Sequence, residues 1–262
     1  MTAWGEPVLI DEKDGYAVLY KPPRLHCVPL VAGDGNTLLE WYARRFPAVL
    51  SLRGRKGIEG GMVHRLDYET SGLVLAARDQ GILDFFLSLQ EGGKLVKEYE
   101  AVSRRTPGAR PGFPPSPGDP FASGGFKPLV IESFFRPYGP GRKTVRPLTE
   151  PARGKREYAS DRGSRYRTEL RGAEALKDGS VRFTLRILRG FRHQIRCHLA
   201  WTGWPVLNDP LYGDTPEDET GNGGAALPLA LIATGLSFPD PVTGERRSYA
   251  IDPASFLISA AR

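Results

Sequence analysis

Residues His64 to Gly72, His-Arg-Leu-Asp-Tyr-Glu-Thr-Ser-Gly, form a polar stretch between two apolar runs. Met62-Val63, after Gly60-Gly61, reads as a short strand, and Leu73 to Ala77 as a second strand of the continuous, buried type. The nine residues therefore occupy a strand-turn-strand junction. Thr70 and Ser71 offer side chains to the local backbone, and Gly72 can take a positive φ, so the turn is expected to be fixed. A fixed turn gives Asp67 a fixed direction.

The remaining elements follow in order. Val8 to Ile10 and Tyr16 to Tyr20 read as strands about a polar turn, and Lys21-Pro22-Pro23 stops the second, since proline cannot donate to a ladder. Thr37-x-x-Glu40 is a capping box, and the helix it opens runs until Pro47. Ser51 to Gly61 is a basic, glycine-rich loop, either a phosphate track or a surface connection. Asp79 caps a helix to about Gln90, and Lys94 to Ser103 alternates as a strand, with Lys97, Tyr99 and Ala101 on one face. Thr106 to Pro128, dense in Pro and Gly and without period, reads as a surface insertion at 106–128. Pro137 to Pro151 reads as irregular and basic. Arg165 to Arg171 and Val181 to Leu188 read as strands separated by a helical turn at Glu174 to Leu176, and a helix starts near His193. Asp214 to Gly224 is an acidic loop, Phe238 to Glu245 a terminal turn, and Pro253 to Leu257 a closing helix.

Composition excludes several classes. There is no apolar run approaching the roughly 18 residues of a membrane helix, and Met1 to Ile10 lacks the pattern of an export signal, so a cytoplasmic location is expected. Cys27 and Cys197 are too few for a disulfide framework and have no metal-ligand spacing. His193 and His198 fall on different helix faces with no acidic ligand placed nearby, so no metal is expected. The net charge is +6, and of 36 basic residues 27 are Arg and nine Lys. They cluster at Arg53-Arg55-Lys56, Arg142-Lys143-Arg146 and Arg153 to Arg167. Arg suits bidentate phosphate contacts, although any one cluster is equally well a solvated loop. A kinase reading fails, because Leu66 and Asp67 stand in the wrong order and no phosphate-binding loop exists. A glycosidase reading lacks a second carboxylate across the bond, Glu69 being poorly placed in the same turn.

The stretch His-Arg-Leu-Asp-x-x-Thr-Ser-Gly resembles the signature of the RluA-type RNA pseudouridine synthases at every defined position. Three further stretches are similar to that family in the expected order. They are Lys97-x-Tyr99-x-Ala101, the run Arg189 to Leu199 containing Gln194-Ile195-Arg196, and Pro205 to Gly213. Departures are Phe191 for the usual Arg, Asn208 in a Gly position, and Pro228 and Ile232 in the run around Leu229.

The resemblance implies an α+β pseudouridine synthase fold, a large mixed and mostly antiparallel sheet flanked by helices, with the site in a cleft across it. It implies Asp67 as the catalytic residue, Tyr99 against the base and suited to proton transfer, and Arg196 paired with Asp67. A guanidinium beside a carboxylate favours its charged form, which a nucleophile requires. Arg65 would hold the flipped-out nucleotide and Leu229 would wall the uracil, while Arg53, Arg55 and Lys56 would contact RNA. The expected partner is ribosomal or transfer RNA, with no membrane, no nucleotide cofactor and no cofactor of any kind, and a monomer is favoured. Residues 1–262 are expected to be a single catalytic domain without a separate N-terminal RNA-binding domain. Two other classes are a non-catalytic RNA-binding or ribosome-assembly factor on the same fold, and an enzyme acting on free nucleosides.

Overall fold

The computed structural model describes residues 5–31, 35–55, 57–151, 164–213 and 227–254. By internal packing the chain divides into two compact units, residues 1–98 with 232–262, and residues 99–231.

In the first unit β1 (Val8–Lys13) and β2 (Tyr16–Lys21) form an antiparallel hairpin, and β2 pairs antiparallel with β3 (Ser71–Ala77). Every residue of β2 and β3 is buried, which is why neither stretch alternates. β3 opens on a parallel pairing with β9 (Leu231–Pro239), Ser71 opposite Ile232 and Gly72 opposite Ala233. Only glycine serves there: φ at Gly72 is +119°, and a Cβ would lie 2.3 Å from the Ala233 carbonyl oxygen. β10 (Arg246–Ala250) completes this unit, antiparallel to β9.

α1 (Leu38–Ala43) has the expected reciprocal cap, Glu40 N–H donating to Thr37 Oγ1 at 3.2 Å and Thr37 N–H donating to Glu40 Oε2 at 3.1 Å. A 3-10 turn, Pro47–Ser51, follows. α2 (Gln80–Glu91) is capped by Asp79, which accepts from Ile82 N–H at 2.9 Å. It buries Leu83, Phe86 and Leu89 against Leu73, Leu75 and Phe238. Tyr16, Phe86 and Phe238 meet edge to face at 5.1 to 5.7 Å in the middle of that core.

The second unit holds β4 (Val96–Ser103, beginning at its boundary), β5 (Leu129–Tyr138), β6 (Thr144–Leu148), β7 (Tyr166–Ala175) and β8 (Val181–Ile187). Their order is β4-β8-β7-β5-β6. The pairings of β5 with β6, β5 with β7 and β7 with β8 are antiparallel. α3 (Gln194–Trp201) packs Cys197 and Ala200 with Phe135, Val145, Tyr166 and Tyr212. The class is α+β, mixed and mostly antiparallel, as expected.

Several local expectations are overturned. Pro137 to Pro151 is no irregular stretch but the end of β5, a tight connection and β6. β5 pairs with β7 through residues 129–133 and with β6 through 134–138, so Pro137 faces one partner only and breaks no central ladder. The helical turn expected at Glu174 to Leu176 is absent, since β7 runs through Ala175 after a register shift between Leu170 and Gly172. The turn expected at Phe238 to Glu245 is present, Gly244 N–H donating to the Asp240 carbonyl at 2.9 Å, and it leads into β10, a strand the sequence pattern did not suggest. The segment 106–128 is largely exposed and also makes packing contacts: Trp201 Nε1 donates to the Pro114 carbonyl at 2.9 Å, and Phe121 lies 5.0 Å from Trp204. The cluster from Arg153 to Arg162, Lys56, the acidic loop 214–224 and most of the segment 253–257 lie outside the described residues.

Candidate active site

The turn that carries Asp67 runs directly into β3, and its approach bridges to the same strand at Met62 and Ala76. The approach to it is pinned on β3, with Val63 N–H donating to the Leu75 carbonyl at 3.0 Å and Leu75 N–H donating to His64 Nε2 at 3.2 Å. Thr70 N–H closes the turn on the Asp67 carbonyl at 3.1 Å. Leu66 N–H donates to Cys27 Sγ at 3.2 Å, and the Cys27 thiol donates to the Leu66 carbonyl at 3.5 Å. Lys21 Nζ donates to the carbonyls of Pro22 and Leu25 at 2.8 Å and of Tyr68 at 3.2 Å. The main chain is therefore tied immediately before and immediately after Asp67. The hydroxyl of Thr70, expected to help, is buried without a hydrogen-bond partner among the described residues. The ammonium of Lys21 at the end of β2 and the thiol of Cys27 beyond it fix the turn instead.

The electrostatics of this turn are set by burial. Burial pulls the Lys21 ammonium down to about 8, while Cys27, Asp67 and Glu69 favour its charged form. Burial, and then Lys97, hold the His64 imidazole well below its ordinary value. Because His64 Nε2 accepts from Leu75, the ring proton of the neutral form is assigned to Nδ1. Asp67 is half-buried and Arg65 is exposed, its Nη1 3.3 Å from Glu59 Oε1. Glu69 faces Arg24 at 3.5 Å and is thus engaged by a cation. Arg53 and Arg55 are exposed, but their loop is not a loose connection. The Arg53 N–H and carbonyl both bond the Gln80 side chain, at 2.9 and 3.2 Å, and Arg55 Nη2 lies 3.4 Å from Glu91.

Tyr99, Arg196 and Leu229 belong to the second unit. Tyr99 is 5% exposed on β4 and Leu229 is 3% exposed just before β9. Arg196, on α3, is buried and bidentate with Asp209: Nε donates to Oδ2 at 2.8 Å and Nη2 to Oδ1 at 2.7 Å. Asp209 also accepts from the N–H groups of Leu211 and Tyr212 at 2.9 and 3.1 Å, so the 208–213 turn is built on the arginine. The resemblance carried by Pro205 to Gly213 gave no sign that Asp209 is the partner of a candidate site residue. Asn208 has φ +60°, which explains how Asn stands in a Gly position. Phe191, replacing an Arg, stacks on Phe135 at 5.0 Å and 6°.

His198 is held by Ser133 Oγ at 2.9 Å and Thr168 Oγ1 at 2.8 Å, and burial lowers it to about 3, so it is a neutral structural histidine. Among the described residues no group of His, Cys, Asp and Glu has a metal-binding arrangement. The exposed Arg142 and Lys143 lie between β5 and β6, where Arg192 Nη2 donates to the Arg142 carbonyl at 2.6 Å.

The chain is thus an α+β protein with a half-buried carboxylate, Asp67, on a turn bonded through its main chain on both sides, the neighbouring Glu69 paired with Arg24. The sequence profile of the RNA pseudouridylate synthases matches residues 15–201, and the chain belongs to that family. It is 26% identical over 260 residues to the "Ribosomal large subunit pseudouridine synthase D" of Haemophilus ducreyi, covering 95% of this chain and 68% of that protein. The protein of the same name from Escherichia coli (strain K12) is 26% identical over 246 residues, covering 90% of this chain and 64% of that one. The chain thus spans about two thirds of the length of these relatives. Among solved structures, "Human RNA Pseudouridylate Synthase Domain Containing 1" superposes with a TM-score of 0.62 at 19% identity, covering 99% of this chain and 89% of that chain. That likeness establishes the shared fold.

Proposed function

We propose that this chain isomerises uridine to pseudouridine within RNA, with Asp67 as the catalytic residue. The observation that carries the reading is the Asp67 turn, intact in sequence and bonded through its main chain on both sides, inside a stretch matched by the family profile. The reaction breaks the bond between uracil N1 and ribose C1′, turns the ring, and joins C5 to C1′; C5 loses a proton and N1 gains one. Nothing is oxidised or reduced, so the balance needs no cofactor.

Each residue has a place in that sequence. The target nucleotide leaves its stack at a cost of a few kcal/mol, and the exposed Arg65 occupies the vacated space. Tyr99 and Leu229 hold the ring by packing, and Tyr99 is the proton carrier. Arg196, oriented by Asp209, is the guanidinium that accompanies the Asp67 carboxylate. Arg53, Arg55, Arg142 and Lys143 contact phosphates.

The substrate is ribosomal or transfer RNA, and the names of the relatives make large-subunit ribosomal RNA the first to test. The protein acts in the cytoplasm as a monomer. Pseudouridine mapping across all RNA from cells with and without the protein tests the reading. Loss of one or a few sites, restored by supplying the protein again, is expected; an unchanged map would overturn it.

A further inference from the structure

Tyr68, the residue after Asp67, is 42% exposed, and its hydroxyl makes no hydrogen bond among the described residues. Its ring lies against that of His26, the centroids 4.6 Å apart and the planes tilted by 36°. The two rings are held from independent anchors. The Tyr68 carbonyl accepts from the buried Lys21 ammonium at 3.2 Å. The His26 carbonyl accepts from Leu38 N–H at 2.9 Å, and His26 bridges to Thr37 at the start of α1. A half-exposed phenol ring with no polar partner adds little to a core. Anchored through its main chain, backed by His26 and 42% exposed, it offers a flat apolar surface of the kind on which bases stack.

We propose that Tyr68, backed by His26, is a stacking platform for the base of a nucleotide adjoining the target uridine. The inference rests on the RNA reading above and adds a specificity-determining contact to it. Extruding one nucleotide exposes a face of each neighbouring base, and aromatic side chains compensate for such a lost stack. The platform is one peptide from the acid, a Cα separation of about 3.8 Å, so the base that meets it is an immediate neighbour of the target. Glu69 would repel the RNA backbone at this point, and Arg24, 3.5 Å away, offsets that charge. Stacking needs a ring and tolerates many bases, so the contact favours a stackable neighbour rather than one particular letter.

The test uses stem-loop transcripts of large-subunit ribosomal RNA centred on a uridine that the protein converts, each with one abasic nucleotide at a position flanking the target. Tyr68→Ala raises KM about tenfold on the intact RNA with kcat within about twofold. Tyr68→Phe and Tyr68→Trp rescue KM, and His26→Ala shows a smaller rise. One flanking abasic position imposes the same loss on the unaltered protein and no further loss on Tyr68→Ala. An unchanged unfolding midpoint in Tyr68→Ala keeps a folding defect out of the comparison. Equal KM for Tyr68→Ala and the unaltered protein, or losses that add at every abasic position, would overturn the platform. Failure of the unaltered protein to convert uridine in any RNA would instead overturn the reading on which it rests.

Discussion

The ammonium of Lys21 donates to the carbonyl of Tyr68 at 3.2 Å, tying the end of β2 to the residue that follows Asp67. The same nitrogen serves Pro22 and Leu25 at 2.8 Å, so one side chain organises two segments. Replacing it strands these carbonyl groups. Lys21→Met should lower stability by about 2–3 kcal/mol, the relief of a buried charge offsetting part of the lost bonds. Turnover should fall more than RNA affinity. Urea unfolding and steady-state kinetics on the same preparation check both.

Lys97 gives a pH signature. Burial, and then Arg55, lower its ammonium from 10.5 to about 7, and among the described residues no carboxylate supports its charged form. A folded pKa below the unfolded one means that the unfolded chain binds more protons between those values, so stability rises with pH across that window. The cost is fully present below about 7 and fades toward 10.5. Unfolding free energy should climb by on the order of 1 kcal/mol per pH unit from this group, with Lys21 adding to the slope above about 8. Lys97→Met should be at least as stable at pH 6 and should flatten the rise. Denaturant titrations at several pH values measure it.

Gly72 admits no side chain. With φ at +119° and the Ala233 backbone 2.3 to 2.7 Å from any Cβ, alanine must push β3 and β9 apart just after the Asp67 turn ends. Gly72→Ala should cost upwards of about 4 kcal/mol, and little folded protein is expected. Circular dichroism melting and soluble yield report it.

Arg196 and Asp209 form a buried, bidentate pair. Lys retains the charge but loses the fork, so Arg196→Lys and Asp209→Asn should each destabilise by about 3 kcal/mol or more. Their double variant should cost much less than the sum of the two, because the second change removes a group that the first has already orphaned. A double-mutant cycle by chemical unfolding measures the coupling.

What was legible in the sequence followed from local patterns with a single solution. The capping box at Thr37 and Glu40, the Asp79 cap and the alternation of β4 all predict what is found, since each is decided by neighbours in the chain. The nonapeptide marked the turn and the family. What was missed depends on distant partners. β5 and β6 carry prolines that read as breakers, and only their positions relative to β7 make these harmless. Lys21 was read as a strand ending, although a lysine closing an apolar run already hints at a buried ammonium that needs acceptors. The Asp209 partner of Arg196 lies in Pro205 to Gly213, a stretch whose resemblance to the family marks it without saying which side chain its carboxylate meets.

The most direct test is tritium release from RNA carrying uridine labelled at C5, with unaltered protein and with Asp67→Asn, since joining C5 to the sugar sends that hydrogen to water. The substitution keeps the turn, which is bonded through main-chain atoms and through Cys27 and Lys21. Release should fall by at least about a thousandfold while RNA binding stays within a few-fold. Release by Asp67→Asn at a rate comparable to that of the unaltered protein would contradict the assignment of Asp67 as the reacting acid.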